Sequence, residues 1–250
     1  MIKSTKNFLG GVCLKIKFGV IKIRNLALPA AIFILSIAFA LPVLNSEKAD
    51  ANAVKTVYFT FDDGPSERTE EILDILSKEN IKATFFVIGP ADQKTEERIF
   101  KIKSEGHSIG LHTMSHDYEK IYLSAENFLA DLEEEREWIY SITGEDCKIF
   151  RFPGGSNNST APKWLIEEVK ATTNEMGMVW YDWNSDGKDS LGELLSPEKI
   201  AENVLSSEFI GSERVIVLLH DSATRTTTPE ALKILISKFR EMGYEFGKLG

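Results

Sequence analysis

The stretch V-I-V-L-L-H-D, residues 215–221, is apolar at its first five positions and ends in a histidine and an aspartate. A strand that is apolar at every position is covered on both faces, which is typical of a parallel sheet with helices packed against it. Similar short runs recur along the chain, and amphipathic stretches of helical length separate them. This alternation predicts an α/β fold built on a mostly parallel sheet.

The alternation can be assigned residue by residue. The predicted strands are Thr56–Phe61, Thr84–Ile88, Ser108–Leu111, Ile149–Phe152, Met178–Tyr181 and Val215–Leu219. The predicted helices are Glu67–Lys78, Thr95–Ser104, Ala125–Ile142, Ala161–Glu175, Pro197–Ser207 and Pro229–Met242. Six or more such units suit a closed or nearly closed barrel better than an open sheet, which stays the alternative.

The first 53 residues differ from the rest of the chain. Six basic residues and no acidic ones occupy the first 25 positions, and the uncharged apolar run Leu26–Leu44 follows. The small residues of Ala49–Ala53 then offer two A-x-A sequences, as at a signal-peptide cleavage site. The apolar run has 19 residues, enough to cross about 30 Å of hydrocarbon as a helix. Residues 1–53 are therefore predicted to be a cleaved export signal or an uncleaved membrane anchor, with the following domain secreted or held outside the cytoplasmic membrane.

Residues 54–250 are long enough for one domain with a full core. Residues 1–53 hold seven of the 29 basic and two of the 38 acidic residues, so the remainder has 22 basic and 36 acidic, a net charge of −14. This balance excludes a nucleic-acid-binding function and argues against contact with anionic lipid. We expect a monomer that contacts the membrane only through its N-terminal segment. Cys147 is the single cysteine of this region, so no disulfide within it is expected.

Ionisable residues cluster at the carboxyl ends of the predicted strands, the edge that carries the active site in parallel α/β folds. Five strands contribute to this edge, through Asp62 and Asp63, His112, Arg151, Asp182 and His220. Such a concentration of charge at one edge predicts an active site there.

A metal site is predicted from one acidic pair and two histidines. Taken alone, Asp62-Asp63-Gly64 is a solvated turn, and a histidine pair at i and i+4 is a surface accident. If their segment is helical, His112 and His116 face the same way, and a nearby carboxylate completes a set of two imidazoles and one oxygen. Such a set suits Zn²⁺, and Co²⁺, Ni²⁺, Mn²⁺ or Fe²⁺ would also fit.

Four further features could assist a hydrolytic reaction. A buried Arg151 needs a carboxylate partner, which Asp62 or Asp182 could supply. The glycines at 154 and 155 let backbone N–H groups approach a developing oxyanion. A carboxylate beside His220 would raise the pKa of that histidine and make it a better general acid. Trp183 is either a wall for a methyl group or sugar face, or ordinary core filling.

The motifs T-F-D-D-G-P-S (residues 60–66) and H-T-M-S-H (112–116), followed in order by R-F-P, D-W and L-L-H, resemble those of the carbohydrate esterase family 4 polysaccharide deacetylases, also called the NodB-homology domain. The resemblance covers residues 54–250. It implies a distorted (β/α) barrel of about seven parallel strands and one divalent metal ion, usually zinc. The implied activity is hydrolysis of N-acetyl groups from amino sugars of a cell-wall polysaccharide, above all peptidoglycan.

The resemblance also implies roles for individual residues. Asp62 would be the general base, Arg151 would orient it, and Asp182 would tune the general acid His220. The implied metal ligands are Asp63, His112 and His116. The implied substrate contacts are Trp183 and Leu218, which would line the pocket for the acetyl methyl, and the backbone N–H after Pro153, that of Gly154, which would bind the oxyanion.

The sequence departs from the family pattern in one place and leaves alternatives open. Many members carry an aromatic residue and then glycine after R-x-P, where this chain has Gly154-Gly155. The departure keeps the backbone N–H but removes a side chain and so opens the cleft wall. The alternatives are a chitooligosaccharide deacetylase, an O-acetyl esterase of the xylan type, an amidase for small molecules, and a non-catalytic glycan-binding domain.

Overall fold

The structure is a computed structural model that describes residues 54–90, 92–190 and 192–250. The predicted export segment, residues 1–53, lies outside the described residues. Within the described ranges, no helix is long and apolar enough to cross a membrane.

Strands and helices alternate along the described chain. The strands are β1 (Thr56–Gly64), β2 (Thr84–Val87), β3 (Ser108–Leu111), β4 (Ile149–Phe150), β5 (Val179–Trp180), β6 (Ser185–Asp186), β7 (Arg214–His220) and β8 (Glu245–Gly247). The helices are α1 (Thr69–Lys78), α2 (Thr95–Ser104), α3 (Tyr118–Ile121), α4 (Ala125–Thr143), α5 (Lys163–Glu175), α6 (Pro197–Leu205) and α7 (Thr228–Glu241). Every predicted strand and helix is present; Ser108–Leu111 and Thr95–Ser104 have the predicted bounds, and no other end is shifted by more than three residues. The short elements α3, β6 and β8 were not predicted, because two to four residues show no periodicity.

The sheet is parallel throughout and curls into a half-barrel. Its order is β5-β4-β3-β2-β1-β7-β6, and β8 pairs with the first residues of β1. In the described chain β5 and β6 do not pair with each other, so the barrel is not closed. Strand β1 is central and pairs with β2, β7 and β8. The prediction of a distorted (β/α) barrel of about seven parallel strands is confirmed, with the sheet curled into a half-barrel rather than closed.

The two faces of the sheet carry different side chains, because successive residues of a strand point to opposite faces. The outer face packs against the helices through residues such as Phe59 and Phe61 of β1 and Val217 of β7, which belong to the main core. The concave face has a smaller apolar cluster that includes Phe86 and Ile216. Near the carboxyl edge, the same alternation places polar side chains of β1 and β7 on the concave face.

The turn after β1 depends on a buried aspartate that follows β7. Asp221 is fully buried and accepts hydrogen bonds from Ser66 Oγ at 2.8 Å and Thr69 Oγ1 at 2.6 Å. A Cβ at Gly64 would lie 2.4 Å from the Asp221 carboxylate, so only glycine fits there. Burial raises the pKa of Asp221 to about 6. This contact joins the D-D-G-P-S turn (residues 62–66) to Asp221, which directly follows β7.

Candidate active site

Asp62 and Asp63 lie at the end of β1 and point in different directions. The register between β1 and β2 shifts between Asp62 and Gly64, and Asp63 has a φ of 68°. This bulge gives the two adjacent carboxylates separate positions. Asp62 pairs in register with His220 of β7 and is buried, whereas Asp63 is partly exposed.

Arg151 follows β4 and holds Asp62 in place. Its Nη1 lies 2.7 Å from Asp62 Oδ1 and donates also to Thr60 Oγ1 at 2.7 Å. The guanidinium covers the ring of Phe86, 4.1 Å from the ring centroid. Arg151 is wholly buried, so its charge requires this carboxylate. Of the two predicted partners, Asp62 supplies the carboxylate, and Asp182 contributes only its backbone carbonyl, 3.4 Å from Nη2.

His112 and His116 converge on Asp63. The Asp63 Oδ1 atom lies 3.6 Å from His112 Nε2 and 3.3 Å from His116 Nε2. The segment that joins the histidines is not helical, contrary to the premise of the i,i+4 argument. Left-handed φ angles at Thr113 (76°) and His116 (48°) fold it into a tight turn instead. The predicted juxtaposition is present, but a strained turn produces it.

Helix α4 holds this turn from behind with two carboxylates. Glu135 accepts from the backbone N–H of His112 at 3.1 Å, and Asp131 accepts from the backbone N–H of Ser115 at 2.8 Å. Glu135 is completely buried, and burial raises its pKa well above the usual range. Asp131 also accepts a hydrogen bond from Lys120 Nζ at 2.6 Å. Neither carboxylate was predicted from the sequence, where both lie inside an ordinary amphipathic helix.

The donor set formed by Asp63, His112 and His116 fits a divalent metal ion. One ligand atom from each residue lies within 4.8 Å of the others. His112 Nδ1 lies 2.9 Å from the carbonyl oxygen of Arg151. A carbonyl only accepts, so Nδ1 carries the proton and Nε2 keeps its lone pair for a ligand. Burial, with the neighbouring His112, lowers the pKa of His116 and favours the neutral form that a metal requires.

His220 faces this set from the end of β7, and its carboxylate partner is Asp189. His220 Nδ1 lies 2.8 Å from Asp189 Oδ1, and the His220 backbone N–H donates to Asp189 Oδ2 at 2.9 Å. Burial lowers the pKa of His220, but the hydrogen bond and charge of Asp189 outweigh it and raise this pKa to about 9. The prediction that Asp182 tunes His220 is therefore wrong, because Asp189 takes that position.

Asp182 instead anchors the glycine loop after β4. Its carboxylate accepts from the backbone N–H of Ser156 at 2.9 Å and from Ser156 Oγ at 2.6 Å. The Pro153 carbonyl accepts from Tyr122 Oη at 2.7 Å. These bonds fix the loop on both sides of Gly154, which has a φ of 74°. The Gly154 N–H donates to no acceptor among the described residues, so it is available to a substrate oxygen.

These groups surround one cavity of about 330 Å³. The residues that line it and were predicted from the sequence are Asp62, Asp63, His112, His116, Gly154, Trp183, Leu218 and His220. The other three predicted residues, Arg151, Asp182 and Pro153, do not line the cavity but make hydrogen bonds that hold its lining in place. The cavity brings three carboxylates, those of Asp62, Asp63 and Asp186, and three histidines into a space that could accommodate an acetamido group and part of a sugar ring.

Comparison with known proteins agrees with this geometry. Residues 49–173 match the family described as polysaccharide deacetylase. A peptidoglycan-N-acetylglucosamine deacetylase of Bacillus cereus is 32% identical over 199 residues, which cover 78% of this chain and 86% of that protein. The chain belongs to the polysaccharide deacetylase family.

Solved structures show the same relationship. The catalytic domain of a peptidoglycan N-acetylglucosamine deacetylase from Eubacterium rectale superposes with a TM-score of 0.73 at 33% identity, covering 82% of this chain and 94% of that one. A Streptococcus mutans family 4 esterase gives a TM-score of 0.72 at 26% identity, covering 80% and 87%. This polysaccharide deacetylase is therefore a hydrolase with the half-barrel of its relatives.

Four residues near the cavity of this deacetylase were not predicted from the sequence. Tyr118, Asp186 and Ser190 line the cavity, and Asp189 lies behind His220. Burial raises the pKa of Asp186. Tyr118 lies two positions after His116, and this proximity is the only sequence signal that could have indicated it. Nothing in the spacing of residues 182, 186 and 189 distinguishes the aspartate that binds His220.

The fourth histidine of the deacetylase, His107, does not line the cavity and packs in the core. His107 Nδ1 accepts the backbone N–H of Ala83 at 3.0 Å. Burial, with the charges of Lys82 and Lys248, lowers the pKa of His107 to about 4. His107 therefore stays neutral and packs edge-on against Phe85 in the core.

Proposed function

We propose that this protein is a metal-dependent hydrolase that removes the acetyl group from N-acetylglucosamine residues of peptidoglycan. The observation that carries the proposal is the convergence of Asp63, His112 and His116 in one cavity, with an arginine-bound carboxylate and a carboxylate-bound histidine beside them. The sugar and polymer are those in the names of the Bacillus cereus and Eubacterium rectale relatives.

The protein residues divide the reaction into two proton transfers. Asp62, held by Arg151, takes a proton from the attacking water as the new C–O bond forms. The Gly154 N–H donates to the carbonyl oxygen as negative charge develops on it. His220 carries its Nδ1 proton toward Asp189, so Nε2 is the nitrogen that gives a proton to the departing amine. The C–N bond then breaks, and acetate and a free amino sugar result.

Asp63, His112 and His116 would hold the divalent ion, for which we propose Zn²⁺. Two imidazoles and one carboxylate leave coordination positions open for water and substrate. When bound, such an ion supplies Lewis acidity, which lowers the pKa of water toward neutrality and polarises a carbonyl. An acetamide is a poor electrophile, so the two proton-transfer residues alone would be insufficient.

Acetate release by the purified full-length protein tests the proposal. The substrates are N-acetylglucosamine oligomers, peptidoglycan and acetylated xylan. Each substrate is assayed with a chelator and again after Zn²⁺, Co²⁺, Ni²⁺ or Mn²⁺ has been restored to the protein. We expect chelator-sensitive acetate release from the first two, and mass spectrometry of digested peptidoglycan should locate the lost acetyl on N-acetylglucosamine. Acetate from xylan alone would indicate an O-acetyl esterase. No acetate from any substrate with any metal would overturn the proposal.

We further propose that the catalytic domain acts outside the cytoplasmic membrane. The support is the basic, apolar and small-residue order of residues 1–53, together with a substrate polymer that lies outside the membrane. Digestion of intact cells with an added protease should degrade the domain or find it already released into the medium. Full protection in intact cells, lost on lysis, would contradict this location.

A further inference from the structure

Asp221 is a buried carboxylate that takes no part in either proton transfer of the proposed reaction. It is fully buried, and among the described residues no ion pair joins it to a lysine, arginine or histidine. Burying a carboxylate without a cationic partner costs free energy, which an uncharged side chain of similar size would avoid. A charge at this position therefore implies partners that require its two acceptor oxygens.

The backbone and the side chain of Asp221 bind the two ends of the turn after β1. The Asp221 N–H donates to the carbonyl oxygen of Asp62 at 2.8 Å. The Asp221 carboxylate accepts from the hydroxyl groups of Ser66 and of the first residue of α1. Only residues 63–65 lie between these anchors. One residue thus fixes both the beginning and the end of the segment that carries Asp63.

The two hydroxyl groups that bind Asp221 are themselves held by the backbone of the turn. Thr69 Oγ1 accepts from the Ser66 N–H at 2.8 Å, and Ser66 Oγ accepts from the Arg68 N–H at 3.0 Å. Each hydroxyl group has a single proton, and it gives that proton to Asp221. A carboxylate supplies an oxygen to both, whereas an asparagine has only one oxygen to offer.

The middle of the turn is held on both sides at Gly64. Gly64 packs directly on the Asp221 carboxylate, and its carbonyl accepts from the Ile88 N–H, next to β2, at 2.8 Å. The preceding residue, Asp63, has a φ of 68°, in the left-handed region that is uncommon outside glycine. Such a conformation persists only where the surrounding structure imposes it. The contacts of Asp221 with the residues on both sides of Asp63 provide that constraint.

We propose that Asp221 is a positioning residue, which sets Asp63 where it can hold the divalent ion together with His112 and His116. The inference rests on the proposed function, because Asp63 is a ligand in that proposal. Helix α4 fixes the two histidines, and Asp221 fixes the third ligand. Metal ligands must be placed to within a few tenths of an ångström. The end of β7 therefore supplies the proposed acid, His220, and on the next residue the carboxylate that orients a ligand.

Titration of the metal-free full-length protein with Zn²⁺ tests this role without requiring turnover. Asp221→Asn removes the charge and one acceptor oxygen, and Ser66→Ala removes one donor and leaves the charge in place. Each variant should bind Zn²⁺ about tenfold more weakly than wild type, as when other residues that orient a ligand are replaced. The matched control is Asp74→Asn, which changes an exposed aspartate of α1 and should bind Zn²⁺ like wild type.

A second measurement distinguishes positioning from a purely structural role. Thermal unfolding of the metal-free proteins reports stability, and a purely structural residue would lower the unfolding temperature without changing the Zn²⁺ affinity of the folded protein. In acetate-release assays, saturating Zn²⁺ should restore the activity that both variants lose at limiting Zn²⁺, because Asp62 and His220 are unchanged.

The outcomes separate this inference from the proposed function. Zn²⁺ affinity equal to that of wild type in Asp221→Asn and Ser66→Ala would overturn the positioning role, even if acetate is released. If Asp221→Asn does not fold, the affinity of Ser66→Ala decides in the same way. Weakened Zn²⁺ binding by both variants, without acetate release from any protein, would keep the positioning role and overturn the deacetylase proposal.

Discussion

The two walls of the catalytic cavity differ in how firmly their functional groups are tied to the rest of the protein. We define the metal wall as Asp62, Asp63, His112 and His116, and the glycan wall as Tyr118, Gly154, Trp183 and Asp186. On the metal wall, Asp62 binds Arg151, and His112 is held through its ring and its backbone. On the glycan wall, the Gly154 N–H and the Tyr118 hydroxyl have no partner among the described residues.

This difference agrees with the role proposed for each wall. Proton transfer and metal binding require atoms fixed to within a fraction of an ångström, so buried partners fix them. Recognition requires donors and acceptors that are free until the substrate arrives. We therefore expect substitutions on the metal wall to reduce kcat strongly, and substitutions of the glycan-wall side chains Tyr118, Trp183 and Asp186 to change KM. The Gly154 N–H is the exception on the glycan wall, because the oxyanion that it is proposed to bind develops only in the transition state.

The largest effect is expected at Asp62, because Asp62→Asn removes the proposed general base. Asn retains an oxygen that can accept from Arg151, but it cannot take the proton of the attacking water. We expect kcat to fall about 10²–10⁴-fold, measured as acetate release under saturating metal. Metal content should match that of wild type, since Asp62 is not a predicted ligand. Activity within a few fold of wild type would show that another group is the base.

A smaller effect, with a pH signature, is expected at Asp189. Asp189→Asn removes the charge that raises the pKa of His220 to about 9, while burial continues to lower that pKa. His220 must be protonated to act as the acid, so the alkaline limb of kcat/KM should move to lower pH. We expect a loss of about 10–100-fold at pH 8.

Asp182→Asn is the matched control for Asp189→Asn. Asp182 binds Ser156 rather than His220, so its loss should loosen the Gly154 loop and leave the alkaline limb unmoved. If the alkaline limb of kcat/KM moves with Asp182→Asn and does not move with Asp189→Asn, Asp182 tunes His220, as the sequence predicted.

A moderate effect on metal binding is expected at Glu135, the helix α4 carboxylate behind His112. Glu135→Ala leaves the buried His112 N–H without an acceptor, which costs about 1–3 kcal/mol of stability. Metal affinity should fall about tenfold, as for other residues that orient a ligand. Glu135→Gln keeps an acceptor oxygen and should retain most of the metal affinity. Metal titrations and thermal unfolding check both variants, and equal behaviour of the two would contradict this role.

The two walls also differed in how well the sequence predicted them. The metal wall was predicted, because Asp62, Asp63 and His112 each follow a recognisable apolar strand, and parallel strands end at one edge. The convergence of His112 and His116 was predicted from a helical spacing that does not exist. The tight turn that replaces the helix depends on the backbone at Thr113 and His116 and on carboxylates from α4, contacts that no local pattern contains.

The supporting residues were harder to predict for the same reason. Asp189 reaches His220 across 31 positions, and residues 182, 186 and 189 are equivalent aspartates in the sequence alone. Tyr118 lies in the four-residue helix α3, too short to show periodicity. Local pattern determines where strands end, whereas side-chain pairing between distant segments depends on the completed fold.

The smallest effect that we predict concerns Tyr118, which occupies space that a larger residue at position 154 would need. A Cβ at Gly154 would lie 3.1 Å from the Tyr118 hydroxyl, and the Tyr118 ring stands edge-on to His116 at 5.5 Å. Burial, with the charges of Asp63 and Asp62, raises the pKa of Tyr118 to about 12. The phenol therefore stays protonated and can donate to the sugar.

Tyr118→Phe keeps the ring and removes only this donor. We expect KM for the N-acetylglucosamine tetramer to rise about 2–10-fold, the equivalent of about 0.5–1.5 kcal/mol for one hydrogen bond, with kcat unchanged. Tyr140→Phe, on the exposed surface of α4, is the matched control and should change neither constant. If kcat falls instead and KM is constant, the phenol donates only in the transition state. Tyr118 would then belong with the chemistry of the metal wall, and the division between the two walls would fail at the aromatic ring that touches both.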